Sequence, residues 1–160
     1  MQGIYREDYF PNGCVCTLSH TVKYRAIHEM IAKLPLFRCI GDTKAFEKDV
    51  VKRERMQSTG LGWGVAVAHG ISCTGAIGIG LGISPKGIDY NAIDRKPVHL
   101  LFMIATPPHR EEEYLHVLSA LVKLLRKPEF RSCLLKLPSM KKKEGFLRQA
   151  FASQLALETG

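Results

Sequence analysis

The sequence lacks both paired cysteine motifs and an N-terminal apolar leader. Its five cysteines are odd in number, irregularly spaced and include no Cys-x-x-Cys pair. Residues 6–8, Arg-Glu-Asp, are charged where a secretory signal needs an apolar segment. These absences argue against a disulfide-stabilised secreted domain, and we expect a reduced, cytoplasmic protein.

Charged side chains are missing from one long stretch. Residues 56–85 contain no Asp, Glu, Lys or Arg, which is long enough to cross a bilayer. The stretch nevertheless contains Gln57, His69, several Ser and Thr residues and many glycines, a composition typical of a buried sheet. We therefore expect no stable membrane insertion.

Two nucleotide-binding motifs are also absent from the glycine-rich middle of the chain. Neither G-x-x-x-x-G-K-[ST] nor G-x-G-x-x-G occurs, although nine of the fourteen glycines lie between Gly60 and Gly87. We interpret these glycines as sites of tight turns and of close approach between neighbouring elements.

The composition is ordinary for a globular protein, with 46% hydrophobic and 24% charged residues among 160. This length favours one domain over residues 1–160, with a core from about 20 to 156 after a loosely ordered lead-in at 1–19. The net charge of +8 favours an anionic partner, either phosphate, an acidic protein surface or nucleic acid. The run Lys141-Lys142-Lys143 has no interleaved aromatic residues, so we interpret it as a solvated helix face and expect no nucleic-acid partner.

Apolar spacing divides the chain into helices, then strands, then helices. We predict helices over 19–34, 43–56, 111–125, 128–135 and 139–156, the first capped by Ser19 or Thr21. The predicted apolar stripe of the helix at 111–125 is Leu115, Leu118, Val122 and Leu125. Strands are predicted over 64–69, 74–83 and 98–108, with residues 85–98 as a turn, a short excursion and a second turn. This order predicts a single layered α/β domain.

Two groups of residues could carry chemistry but have simpler explanations. His109, Glu112 and His116 have a helical spacing that suits a metal ion, yet Pro107-Pro108 puts His109 at or before the helix start. We interpret the three as surface polar residues and predict no metal site. Cys73 follows His69 by four residues, but a Cys-His nucleophile needs a third, orienting group, so a small buried side chain is the better interpretation.

His69 is the strongest functional candidate. It ends the apolar run 65–68 and precedes Gly70, where a strand built only for the core would carry another apolar residue. One interpretation is a core histidine bonded to a backbone carbonyl. The other is a phosphoacceptor, because a neutral imidazole offers a nitrogen lone pair for attack on phosphorus. Candidate donors to the phosphate oxygens are backbone N–H groups flanked by glycine and the side chains of Ser58, Thr59 and Arg53.

The segment RERMQSTGLGWGVAVAHG (53–70) resembles the active-site signature of the enzyme IIA domains of the fructose/mannitol class of the bacterial phosphotransferase system. That signature runs Arg-Glu, a spacer, Ser-Thr-Gly, a Gly-rich step, a small aliphatic strand and Pro-His-Gly. The segments IDYNAIDRKPVHLLFMIATP (88–107) and YLHVLSALVKLLRKPEFRSCLL (114–135) are similar to the next central strand and the following helix. The resemblance covers roughly residues 20–150.

The resemblance implies a three-layer α/β/α domain with a mixed, roughly five-stranded sheet and no cofactor. It implies that His69 accepts a phosphoryl group from an HPr-like carrier protein, for transfer to enzyme IIB or for signalling to regulatory target proteins. Arg53 matches the family arginine near the phosphate, Thr59 the hydroxyl residue beside the site, and Gly70 the glycine after the histidine. Because no permease or enzyme IIB sequence accompanies the chain, we expect the free-standing, nitrogen-regulatory type.

Two positions depart from the family pattern. Ala68 stands where the family usually has proline, which would fix the backbone before the nucleophile. Tyr114 stands where many members have a second histidine, and a tyrosine donates one hydrogen bond without carrying a positive charge. Two hypotheses follow. The chain is a phosphoryl carrier with His69 as nucleophile, or it is a regulatory binding module that kept the fold without efficient phosphotransfer.

Overall fold

The computed structural model describes residues 8–73 and 75–159, which form one sheet with helices on both sides. The strands are β1 (Val15–Thr17), β2 (Gly60–Gly62), β3 (Val65–Ile71), β4 (Gly78–Ile88) and β5 (Val98–Thr106). The helices are α1 (Lys23–Lys33), α2 (Pro35–Arg38), α3 (Thr43–Met56), α4 (Glu111–Leu125), α5 (Pro128–Lys136) and α6 (Met140–Thr159). None of these helices is both long and apolar enough to cross a membrane.

The sheet is mixed and has the strand order β1-β4-β5-β3-β2. In its centre, β5 runs parallel to β3 and antiparallel to β4. At its edges, β1 is parallel to β4, and β2 is antiparallel to β3. The expected mixed, five-stranded sheet is confirmed, and β5 occupies its middle because an almost uninterrupted apolar strand can be buried on both faces.

Each face of the sheet has its own apolar core. Val65 and Val67 of β3 pack with side chains of α4, α5 and α6, whereas Ala66 and Ala68 pack with those of α1, α2 and α3. This division follows the two-residue period of a strand, which turns successive side chains to opposite faces. The expected α/β/α layering is therefore confirmed.

Glycines in β4 let the first helical layer approach the sheet closely. A Cβ on Gly80 would lie 2.7 Å from Leu34 Cδ1, and one on Gly82 would lie 2.5 Å from Leu18 Cδ1. A Cβ at either position would force these leucine side chains to shift, so the predicted contribution of small residues to close approach is confirmed here.

The segment before residue 20 belongs to the fold, so the expectation of a loosely ordered lead-in is wrong for its described part. β1 adds a strand to β4, and the buried rings of Tyr9 and Phe10 lie 5.5 and 5.4 Å from that of Phe151. A strand of three residues is too short to show a period, and its pairing with β4 specifies it instead. Residues 1–7 lie outside the described part of the chain.

Some element boundaries also differ from the prediction. α1 begins at Lys23 without a side-chain cap, because Val22 occupies the cap position; the Ser19 N–H and hydroxyl, upstream of it, donate to the Glu29 carboxylate. β4 continues through Pro85 to Ile88, where the sequence predicts a turn. Its pairing with β5 is irregular between Ile83 and Ile88, which is where a strand tolerates proline. The short edge strand β2 is not predicted either.

Helix α4 confirms only part of the predicted stripe: Leu125 is buried and Leu118 packs partly buried against the core. Leu115 is 61% exposed, whereas Val117, Leu121 and Leu124 are buried. Apolar residues occur almost all round this helix after its first turn, so spacing alone does not select the buried face.

Two single-residue expectations are wrong. Cys73 is exposed rather than buried. Lys143 is buried rather than solvated, and its Nζ donates to the carbonyls of Leu134 at 2.6 Å and Leu135 at 3.1 Å. These carbonyls lie in the last turn of α5, where the helix itself supplies no donors, so Lys143 acts as a cap.

Candidate active site

His69 lies near the end of β3, beyond the residues of that strand that pair with β2. On the other side β3 pairs with β5 along its whole length, with His69 opposite Ile104. His69 follows the same alternation as Val65 and Val67, which turns its ring toward the layer that contains α4. The half-buried ring therefore stands on a rigid strand while part of its surface stays open to solvent.

Arg53, in the last turn of α3, contacts His69 directly. Its Nη1 lies 3.2 Å from His69 Nε2. A guanidinium has only donors and stays protonated, so Nε2 is the acceptor and the neutral ring carries its proton on Nδ1. Burial and the charge of Arg53 lower the pKa of His69, against opposing effects of Asp49 and Glu54. The ring is therefore neutral near pH 7, with the Nε2 lone pair directed at Arg53.

Asp49 is a member of the site that the sequence interpretation missed. Its Oδ2 accepts from Arg53 Nε at 3.0 Å and from the Ile71 N–H at 2.8 Å. Burial alone would raise the pKa of Asp49, but these two hydrogen bonds and the charge of Arg53 lower it, so the carboxyl is ionised. The i,i+4 spacing of Asp49 and Arg53 on a predicted helix is the sequence signal that points to the pair.

Tyr114 of α4 lies beside the imidazole. The two ring centroids are 5.2 Å apart, and the ring planes are inclined by 37°. Burial raises the pKa of Tyr114, while the charge of Arg53 acts in the opposite direction, and the phenol is neutral. The structure thus brings together His69, Arg53 and Tyr114, three of the residues that the sequence singles out.

The hydroxyls of Ser58 and Thr59 are bonded within the fold. Ser58 Oγ donates to the Tyr90 carbonyl at 3.1 Å. The Thr59 hydroxyl donates to Glu54 Oε1 and lies 3.2 Å from the Tyr90 hydroxyl. These bonds hold the segment that leads into β2, and a phosphate-binding function of either residue stays a prediction.

Glu54, which follows Arg53, is the centre of a buried polar cluster and is only 3% exposed. It accepts from the Thr59 N–H at 3.2 Å, the Tyr90 hydroxyl at 2.8 Å and Lys23 Nζ at 3.1 Å. Burial and the neighbouring carboxylate raise the pKa of Tyr90 well above its ordinary value. The cluster fastens the end of α3 to α1 and to the segment before β2, which fixes the backbone from which Arg53 extends.

Gly70 brings α3 onto the end of β3. A Cβ at this position would lie 2.7 Å from Val50 Cγ2 and 2.9 Å from Phe46 Cε2. Only glycine allows the helix to pack this closely, and the close packing puts Arg53 within reach of His69. The structure thus shows a packing function for Gly70, while its predicted contribution to phosphate binding stays a prediction.

The other group weighed from the sequence does not share one helix face. His109 is exposed and has a left-handed φ of 63°, just before α4 begins at Glu111. Its side chain is therefore not in helical register with Glu112 and His116. Among residues 8–73 and 75–159, no three His, Cys, Asp or Glu side chains are grouped in a way that suits a metal ion.

Comparison with known families agrees with this geometry. The sequence profile of the family described as "Phosphoenolpyruvate-dependent sugar phosphotransferase system, EIIA 2" matches residues 9–148, which include every site residue described above. The chain belongs to this EIIA family. It is therefore a phosphotransferase-system EIIA domain.

Relatives and solved structures give the same assignment. The EIIA domain is 35% identical to the fructose-specific EIIABC component of Bacillus subtilis over 73% of this chain, but it spans only 19% of that protein. The crystal structure of nitrogen regulatory protein IIA-Ntr from Neisseria meningitidis has a TM-score of 0.78 and 26% identity, over 88% of this chain and 97% of that one. The complex of mannitol enzyme IIA with phosphorylated enzyme IIB from Escherichia coli contains the same fold, with a TM-score of 0.69 and 18% identity over 90% of this chain and 99% of that one.

Proposed function

We propose that this EIIA domain carries a phosphoryl group on Nε2 of His69 and acts in regulation. The observation that carries the proposal is the 3.2 Å contact between Arg53 Nη1 and His69 Nε2. It pairs a neutral nucleophilic nitrogen with a cation that can bind phosphate oxygens. A histidine kept only for the core would instead direct its ring nitrogens at backbone groups, as His99 does with Nδ1 2.8 Å from the Ser84 carbonyl.

The proposed step exchanges one P–N bond for another. His69 Nε2 attacks the phosphorus of a phosphohistidine on the donor protein, and the donor imidazole leaves with the electron pair of the broken bond. The His69 Nδ1 keeps its proton throughout. As the new bond forms, Arg53 transfers its hydrogen bond from the Nε2 lone pair to the phosphoryl oxygens, where its charge stabilises the negative charge that has been added.

The proposed partners are an HPr-like carrier protein as donor and enzyme IIB or a regulatory target protein as acceptor. The known complex of mannitol enzyme IIA with phosphorylated enzyme IIB, which has the same fold, supports the IIB acceptor. Similarity to the nitrogen regulatory protein IIA-Ntr supports the regulatory alternative. A cytoplasmic location is part of the proposal and agrees with the five cysteines, none of which forms a disulfide.

Labelling tests this function. The purified chain is incubated with radiolabelled phosphoenolpyruvate, enzyme I and an HPr-like carrier, and the label is tested for acid lability and base stability. We expect label on the wild type and none on His69→Ala. His99→Ala is the matched control, because His99 is also half-buried on a central strand, and it should keep the label.

Circular dichroism confirms that each variant is folded before labelling. A folded wild type that takes no label overturns the proposal and favours the binding module without phosphotransfer. Label that persists on folded His69→Ala also overturns it, because the acceptor then lies elsewhere.

A further inference from the structure

Asp49 holds Arg53 by a nitrogen that the proposed chemistry leaves unused. Arg53 Nε donates to Asp49 Oδ2 at 3.0 Å, while Nη1 of the same guanidinium faces His69. We propose that Asp49 is a positioning residue for phosphoryl transfer, which acts by holding Arg53 against His69. This inference rests on the proposed function of His69.

A second contact of the same oxygen fixes where the carboxylate lies. Asp49 Oδ2 also accepts from the backbone N–H of Ile71 at 2.8 Å, two residues after His69 on β3. One oxygen atom therefore joins the helix that supplies the arginine to the strand that supplies the histidine.

Stability alone does not account for the arrangement. The side chains of Arg53 and Asp49 are 38% and 27% exposed, and a partly exposed i,i+4 ion pair adds little to the free energy of unfolding. Orientation is the larger effect, because an unrestrained arginine side chain samples many rotamers. With Nε held, the guanidinium keeps the direction in which it contacts Nε2 and, after transfer, the phosphoryl oxygens.

The first experiment compares initial rates of labelling by the phosphorylated carrier. Asp49→Ala removes the acceptor, and we expect a loss of about 10-fold. Asp49→Asn retains one oxygen that can accept from both donors, and we expect it to stay within about 3-fold of the wild type. Glu47→Ala is the matched control, since Glu47 is on the same helix and is 29% exposed but pairs with His28; its rate should not change.

A double-mutant cycle separates positioning from an independent structural effect. If Asp49 acts through Arg53, adding Asp49→Ala to Arg53→Ala lowers the rate no further. An equal loss in both backgrounds overturns the proposal, and so does an unchanged rate for Asp49→Ala alone.

A third measurement does not depend on phosphotransfer. In ¹H–¹⁵N spectra of the ¹⁵N-enriched, unphosphorylated protein, we expect the Arg53 Nε–H signal to be well dispersed and its proton protected from exchange with water. Both properties should be lost in Asp49→Ala but not in Asp49→Asn. If the Arg53 Nε–H proton of the wild type exchanges with water as fast as that of the exposed Arg25, the positioning proposal is overturned, even where His69 accepts a phosphoryl group. A protected Arg53 signal in a protein that takes no label instead shows that the proposed function has failed.

Discussion

The Nη1 atom of Arg53 lies 3.2 Å from Nε2 of His69, so a permanent cation faces the lone pair of the candidate nucleophile. A second proton on Nε2 would point at this cation, and the burial of the ring disfavours the charged form as well. Burial first, and the charge of Arg53 second, therefore keep the imidazole neutral, and the contact holds beside it the charge that a phosphoryl group would need.

The first prediction concerns the titration of His69. Because burial and Arg53 both lower its pKa, we expect the ring to titrate below the ordinary value of 6.5. In Arg53→Ala one of the two causes is removed, so the pKa should rise relative to the wild type. NMR titration of the imidazole signals measures both values. Arg55→Ala is the control, because the Arg55 guanidinium lies 5.4 Å from the Tyr24 ring, and it should leave the His69 pKa unchanged. A rise as large as that in Arg53→Ala contradicts a specific effect of Arg53 on His69.

The second prediction concerns Tyr114, whose ring centroid is 5.2 Å from that of His69. Tyr114→His places a group that can carry positive charge beside the incoming phosphoryl group, and we expect transfer to become about 10-fold faster. Initial labelling rates measure the effect. Tyr114→Phe keeps the ring contact without adding a donor, so its rate should not increase. A Tyr114→His variant no faster than Tyr114→Phe shows that positive charge at this position does not speed transfer.

The third prediction concerns the close packing at Gly70. In Gly70→Ala the new methyl group would approach Val50 to 2.7 Å, which pushes α3 away from β3. We expect the free energy of unfolding to fall by about 1–3 kcal/mol and labelling of His69 to slow. Urea unfolding measures the stability. For comparison, Gly145→Ala in α6 meets no heavy atom within 4 Å and should be neutral or stabilising by up to about 1 kcal/mol; equal losses in both variants contradict the packing argument.

The fourth prediction concerns acid stability. Hydrogen bonds from Lys33, His20 and Ser19 outweigh the effect of burial and lower the pKa of Glu29 to about 2. A carboxyl group whose pKa is lowered in the folded state stabilises the fold at pH values above its ordinary pKa of 4.5. This contribution is lost as the pH falls from 4.5 toward about 2. We expect about 1–3 kcal/mol to be lost in that range.

In Glu29→Gln this part of the pH dependence should disappear. Urea midpoints recorded between about pH 6 and pH 2 test it. Glu112→Gln, at an exposed position, is the control, and its urea midpoint should change with pH as steeply as that of the wild type. A Glu29→Gln protein that loses stability with acid as steeply as the wild type would refute the assignment.

Local patterns predicted a layered α/β domain, whereas the three-layer arrangement with a mixed, roughly five-stranded sheet followed from the family resemblance. Strands such as β5 are apolar on both faces, and the flanking helices repeat at three and four residues. The signature around His69 also led to Arg53 and Tyr114, although 16 residues separate Arg53 from His69, because the family resemblance supplied the pairing that spacing cannot.

The features that sequence reasoning missed depend on contacts distant in the chain. Asp49 is an ordinary exposed-face residue of a helix until the Ile71 N–H, 22 residues later, is placed beside it. The Thr59 hydroxyl donates to the buried Glu54 carboxylate, a contact that its place in the signature does not indicate, and its predicted phosphate-binding function stays a prediction. In α4 the side chain of Leu115 is exposed because the core contacts a neighbouring stripe, and apolar residues on several faces after the first turn leave that choice open.

His69 receives Arg53 from the helical layer on one face of the sheet and Tyr114 from the layer on the other. Neither helical layer supplies both Arg53 and Tyr114, so the site forms only when both layers pack on the sheet. On the proposed function, phosphoryl transfer to His69 therefore requires both helical layers on the sheet: a partially unfolded molecule that has released either layer loses Arg53 or Tyr114 from the imidazole, even while β3 stays paired with β5.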